Sequence, residues 1–270
     1  MNAGQLKATR LIGIAACIAG LMGAGSAAAA AGFGDGIPSD WQCQGTCGTA
    51  AADGVVSLAP NGGSAYGYVT TASGIGGVSL PGVGGFGEAT TGSRLLSNLF
   101  VAEAGQALDF KFNYVTSDGA EYSDYAWARL LDASGSQVAL LFTARTSPEG
   151  SAVPGFDMPA AAATLTPVQV GVVAGGPAWS PLGSDSGECF DAGCGYTGWV
   201  QSSYRIADAG NYYLEFGVTN WDDEDYQSGL AFDGVTLDGV PLPAVPEPAT
   251  YGMLLGGLGL LAAWRRRGAR

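Results

Sequence analysis

Histidine is missing from all 270 residues. That absence removes every imidazole general base, and with it the Ser-His-Asp and Cys-His nucleophile arrangements, and it denies any metal an imidazole ligand. Basic side chains are scarce as well. Of the 11 lysines and arginines, Lys7 and Arg10 lie at one end and Arg265, Arg266, Arg267 and Arg270 at the other, leaving five within residues 32–243 against 23 acidic residues. The central body therefore carries a net charge of about −18. Such a surface excludes nucleic acid as a partner and suits divalent cations or neutral, hydroxyl-rich surfaces. Convincing helical periodicity is lacking too, and no fixed-period repeat is present.

Long apolar runs occur only near the two ends. Lys7 and Arg10 precede the apolar residues 11–22, and residues 26–31 supply the small side chains a signal peptidase needs. This predicts a secretory signal over 1–31, removed near Ala31. An uncleaved anchor helix is the alternative that the small-residue tail disfavours, and lipoprotein processing at Cys17 would strand an apolar stretch behind the lipid. The second run, 249–264, is about sixteen residues long, just short of the twenty or so that cross a bilayer core. Arg265, Arg266 and Arg267 follow it and would stop transfer on the cytoplasmic side. A plain tail anchor leaves Pro246-Glu247-Pro248 unexplained. Two prolines keep that segment extended and outside the helix, exposed as a recognisable and cuttable stretch.

Val245-Pro246-Glu247-Pro248, the apolar run and the arginine cluster together resemble the PEP-CTERM sorting signal of Gram-negative bacteria. The resemblance covers only the tail. It implies that exosortase, a membrane enzyme, processes the chain after transient residence in the inner membrane, with signal peptidase acting at the other end. It also implies a host that makes exopolysaccharide and biofilm, and a cell-surface or extracellular-matrix destination. Stretches of the body, such as 123–132 and 216–235, are similar to uncharacterised PEP-CTERM proteins that carry no assigned activity.

Residues 32–243 read as one domain, followed by the sorting signal at 244–270. The stretch 33–92 is rich in Gly, Ala, Ser and Thr, which favours short strands and many turns over helix. From 93 onward, strand-like runs at 95–101, 107–116, 125–131, 137–146, 164–173, 198–206, 211–220 and 230–237 are parted by turn residues. In 108–114 the large apolar residues occupy alternate positions, the mark of a strand with one face in a core. Likewise Tyr213 and Glu215 face opposite to Tyr212, Leu214 and Phe216. The expected fold is all-β: a jelly-roll-like antiparallel β-sandwich, flanked by the signal peptide and a C-terminal transmembrane helix.

Four cysteines remain outside the signal: Cys43, Cys47, Cys189 and Cys194. In a reducing compartment they would suit a four-thiolate zinc site, but export favours disulfides. Three connectivities are open, and pairing within each loop is the simplest.

The run Asn220-Trp221-Asp222-Asp223-Glu224-Asp225-Tyr226 is the most suggestive chemical cluster. Adjacent carboxylates repel unless solvent or a cation screens them, and Ca2+ takes such loop oxygens. Asp222, Asp223 and Asp225 are candidate ligands, although the spacing is not that of an EF-hand and a solvated acidic loop is the plainer reading. Asp118, Glu121 and Asp124 form a second acidic loop. Trp221, beside the carboxylates, is the tryptophan expected to be most exposed and the candidate for stacking on a sugar ring; a buried core ring is the usual alternative. No catalytic residue is assigned, because the acids crowd turn-like positions that favour solvation over pKa tuning. The expected role is structural or adhesive, with no required cofactor. A calcium-assisted carbohydrate-binding module that contacts extracellular polysaccharide is the alternative, and a secreted hydrolase ranks last.

Overall fold

The computed structural model describes residues 32–120 and 122–242. The signal sequence, Glu121, Val245-Pro246-Glu247-Pro248, the expected transmembrane helix and its arginines lie outside the described residues. Among those described, no helix is long and apolar enough to cross a membrane.

Two antiparallel sheets form a sandwich. The first runs in the order Gln42–Gln44, Ala89–Leu96, Gly210–Trp221, Tyr125–Asp132, Gln137–Arg145. The second runs Thr164–Thr166, Val200–Arg205, Ala107–Thr116, Ser228–Leu237, Tyr66–Thr70, Thr46–Ala50. Alternation explains which residues meet between them. Phe110, Phe112 and Tyr114 of one strand point inward, as do Leu214, Phe216 and Val218 of another, and all are buried. Phe112 stacks on Phe142 at 3.7 Å and Phe216 on Phe232 at 4.0 Å, so each pair joins the two sheets across the core. Burying one such ring contributes about 1.5–3 kcal/mol, and its aromatic contact roughly 1 kcal/mol more.

Several expected runs are interrupted. The stretch 95–101 divides into the end of Ala89–Leu96 and a separate strand, Phe100–Ala102. Between them Ser97 bonds both the carbonyl and the N–H of Leu214, holding the chain against the central strand while it shifts register. The stretch 164–173 breaks into three short strands around Pro167, which has no N–H to give a ladder. One 3-10 helix, Ser180–Asp185, appears where no helix was expected. Val78 and Leu80 are not in a strand; they lie with Leu140 and Trp221 over Trp127 on the outer face of the first sheet.

Candidate functional site

The strands that carry the acidic residues end at the same edge of the sandwich. Ala107–Thr116 leads into the loop with Asp118 and Asp124, and the loop 222–227 joins Gly210–Trp221 to Ser228–Leu237. Backbone bonds zip these loops together. Ser117 N–H donates to the Gln227 carbonyl at 3.1 Å, Phe190 N–H to Ser117 at 3.0 Å, and Ala120 N–H to Ala192 at 2.9 Å. Phe190 and Ala192 sit in the loop that Cys189–Cys194 closes. The other bridge is Cys43–Cys47, so both disulfides are local.

Asp118 and Asp124 are buried, just beyond the end of Ala107–Thr116 and just before the start of Tyr125–Asp132. Asp118 Oδ1 accepts the Gly119 N–H at 2.7 Å, and Asp124 Oδ1 accepts the Trp221 N–H at 3.0 Å. The Tyr114 hydroxyl donates to the Asp124 carbonyl at 2.7 Å. The second oxygen of each carboxylate, and Oδ1 of Asn220, have no hydrogen-bond partner. Burial pushes the Asp118 carboxyl well above the usual range, and the charges of Asp223 and Asp225 add to this. Burial raises Asp124 too, with the Asp118 charge next. The charge of Arg145 reaches Asp124, but its N–H groups go elsewhere: it donates to the carbonyls of Ser123 and Gly84, each at 2.9 Å, and lies 4.5 Å over the Trp221 ring.

The three aspartates of the acidic run separate in space. Asp223 and Asp225 face Asp118 closely enough for their charges to act on it. Asp222 is exposed, adopts a left-handed conformation (φ 73°), and packs beside Gly87 instead. Asp223 Oδ1 accepts the Asp225 N–H at 2.9 Å, and the Asp223 carbonyl accepts the Thr90 hydroxyl, which fixes the turn. Among the described residues, no three acidic or cysteine side chains are already gathered as metal ligands.

Trp221 corrects an expectation. Its side chain is only 5% exposed, its indole N–H donates to the Phe86 carbonyl at 2.8 Å, and Tyr125 packs edge-on against it. The carboxylates follow it in sequence, but the strand turns its ring back over the outer face of the first sheet, so it offers no surface for stacking. The exposed aromatic rings are others. Phe86 is 96% exposed, Phe190 46% and Phe156 45%. All three are on loops at this end: the Phe86 carbonyl accepts from Trp221, Phe190 N–H donates to Ser117, and Phe156 N–H donates to Arg145, which pairs with Tyr125 beside Asp124. Tyr122 and Tyr226 flank Phe190 with ring centroids 5.7 Å and 5.1 Å away. Sequence reading missed Phe190; its signal was a large ring held between two cysteines five residues apart.

A second polar site lies on the outer face of the first sheet. Gln42, Gln44, Arg94, Arg129 and Glu215 line an open cleft of about 230 Å³. Glu215 is buried at its floor, and its position opposite Arg129 in the strand register brings the two together. Arg129 Nε reaches Glu215 Oε1 at 2.6 Å, Trp127 donates to the same oxygen at 3.0 Å, and Arg94 reaches Oε2 at 3.4 Å. The two ion pairs among the described residues both end on this one carboxylate.

Residues 244–267 match the family described as PEP-CTERM protein-sorting motif. That motif marks an exported, exosortase-processed chain with a surface or extracellular location. No curated protein matches the chain. Among solved structures it is similar to the K1 cleaved adhesin domain of Lys-gingipain from Porphyromonas gingivalis, at 15% identity and TM-score 0.34, over 76% of this chain and 94% of that one. It is similar to TmCBM61, solved with beta-1,4-galactotriose, at 10% identity and TM-score 0.34, over 77% and 93%. The enzymatically active domain of bacteriophage CBA120 tailspike protein 4 matches at 12% identity and TM-score 0.33, over 77% of this chain and 20% of that one. Likeness at these TM-scores carries no argument about ligand or activity.

Proposed function

We propose that this PEP-CTERM-tagged chain is a non-catalytic, adhesive surface or matrix protein whose loop end contacts extracellular polysaccharide. The observation that supports this reading is the gathering of all three exposed phenylalanines on loops at one end of the sandwich, with Tyr122 and Tyr226 beside Phe190. Aromatic faces held on a rigid scaffold stack on the apolar faces of sugar rings, and the disulfide loop limits the entropy lost when Phe190 meets a ligand. A strongly acidic surface favours neutral glycans over polyanions.

Burial supports the non-catalytic reading. Raised carboxyl pKa values are what a general acid needs, but Asp118 and Asp124 lie beneath the loops, out of reach of a substrate oxygen. Retardation of the protein in gels cast with neutral polysaccharides tests the proposal. The expected result is retardation that Phe190→Ala reduces at least several-fold and that leaves the glycan intact; unaltered mobility across neutral glycans, or glycan cleavage, contradicts it. Processing is tested separately by intact mass: secreted protein from an exosortase-bearing host is expected to end near Pro248, and an untrimmed tail contradicts that expectation.

A further inference from the structure

The buried acids at the loop end contain an unmet electrostatic requirement. Asp118, Asp124 and Asn220 are 2%, 0% and 1% exposed, and each carries one side-chain oxygen without a hydrogen-bond partner. Contacts at the strand ends bring them near one another: Asp118 and Asp124 feel each other's charge, and Trp221, the residue after Asn220, donates its N–H to Asp124. Asn220 continues the inward series of Phe216 and Val218, in the layer just above the aromatic core. An orphaned buried oxygen is costly, and more so when it is charged. No arginine or lysine forms an ion pair with either carboxylate among the described residues. Asp223, half-buried on the covering loop, sets a further carboxylate against both.

We propose that this layer is a calcium site in which Asp118 Oδ2, Asp124 Oδ2 and Asn220 Oδ1 are the inner ligands and Asp223 closes the site from the loop 222–227. The chemistry selects the ion. All the available donors are oxygen, which excludes a preference for softer metals, and there is no imidazole or free thiol in the body. Ca2+ tolerates an irregular shell of six to eight oxygens and accepts neutral carbonyls and water beside a few carboxylates, whereas Mg2+ demands a near-octahedral set and gives up its water reluctantly. Two buried carboxylates with an amide and a third acid on the covering loop fit the first pattern. The site is structural: it ties the ends of Ala107–Thr116 and Gly210–Trp221 across the two sheets, beneath the aromatic rim. It does not depend on the polysaccharide reading, and Asp222, exposed and turned toward Gly87, is not part of it.

The full-length chain in mild detergent provides the test, by thermal unfolding in EDTA, in about 10 mM CaCl2 and in about 10 mM MgCl2. At an affinity typical of extracellular modules, about 1 mM, a ten-fold excess of calcium raises Tm by roughly 3–6 °C. The response is expected to be lost in Asp124→Asn and in Asp118→Asn, and kept in Asp222→Asn. Should Asp124→Asn fail to fold, Tb3+ luminescence excited through the nearby tyrosines of the wild-type protein, displaced by CaCl2, reads the same site. No calcium shift in the wild type, an equal shift with MgCl2, or a shift that survives Asp118→Asn overturns the proposal.

Discussion

Glu215 and the pair Asp118–Asp124 are all carboxylates buried in the same sandwich, yet their surroundings are opposite. Glu215 has two guanidinium groups and an indole N–H on its oxygens, all from neighbouring strands of one sheet. Asp118 and Asp124 keep one oxygen each without a partner and have no ion pair among the described residues. A buried charge is tolerated when the fold itself supplies its counter-charge. Where the fold does not, the counter-charge comes from outside or the charge is suppressed. Two of the body's five basic residues are committed to Glu215 on the outer face, while Asp118 and Asp124 form no ion pair among the described residues and Asp124 feels Arg145 only at longer range. The outer cleft is thus complete in itself, and the loop end is not.

Substitutions at Glu215 give the largest expected effect. Glu215→Gln leaves Arg94 and Arg129 facing a neutral amide and is expected to lower unfolding stability by about 3 kcal/mol, read by urea denaturation. A change under about 0.5 kcal/mol would mean that the arginines are as well solvated without it. The next effect tests the cover of that site. A side chain at Gly217 would collide with the Trp127 indole, which lies across this glycine to reach Glu215. Gly217→Ala is expected to cost about 1–3 kcal/mol and to shift Trp fluorescence toward the red; wild-type stability and emission would contradict the packing.

Asp233 is the intermediate case and gives the smallest effect. It is buried, accepts the Gly234 N–H at 2.8 Å through Oδ1, leaves Oδ2 unpartnered, and feels the charge of Lys111. Burial raises its pKa above the ordinary 3.8 despite Lys111. Its contribution to stability is therefore full below the ordinary value and is lost as pH rises through the folded-state value. Asp233→Asn is expected to remove that decline, leaving the variant more stable than wild type at neutral pH and no more stable at pH near 3. An advantage largest at low pH would reverse the sign and refute the assignment.

The sequence disclosed more of the fold than of the site. Alternation in 108–114 and around Leu214, Glu215 and Phe216 predicted inward and outward faces, because a strand in a two-layer sandwich has only those two choices. The break at Ser97 was hidden, since it depends on hydrogen bonds to Leu214, a residue 117 positions away. Trp221 was misread for a related reason: its charged successors belong to a loop, but the ring itself belongs to the strand and folds back under Phe86. The acidic run was visible as a run, yet nothing local told Asp223 and Asp225, which face Asp118, from Asp222, which does not. Phe86 and Phe156 lay in glycine-bearing loops without periodic context, so their shared position could only emerge from the packing of distant strand ends.

One paired measurement tests the contrast most directly: unfolding stability of Glu215→Gln and Asp118→Asn in the full-length chain, side by side in EDTA at neutral pH. The two substitutions make the same chemical change, a carboxylate to its amide. The account predicts opposite signs, a loss of about 3 kcal/mol for the first and a gain of about 1 kcal/mol for the second, which calcium then erases by stabilising only the wild type. Losses of similar size in both would contradict it, because Asp118 would then have its counter-charge within the fold already.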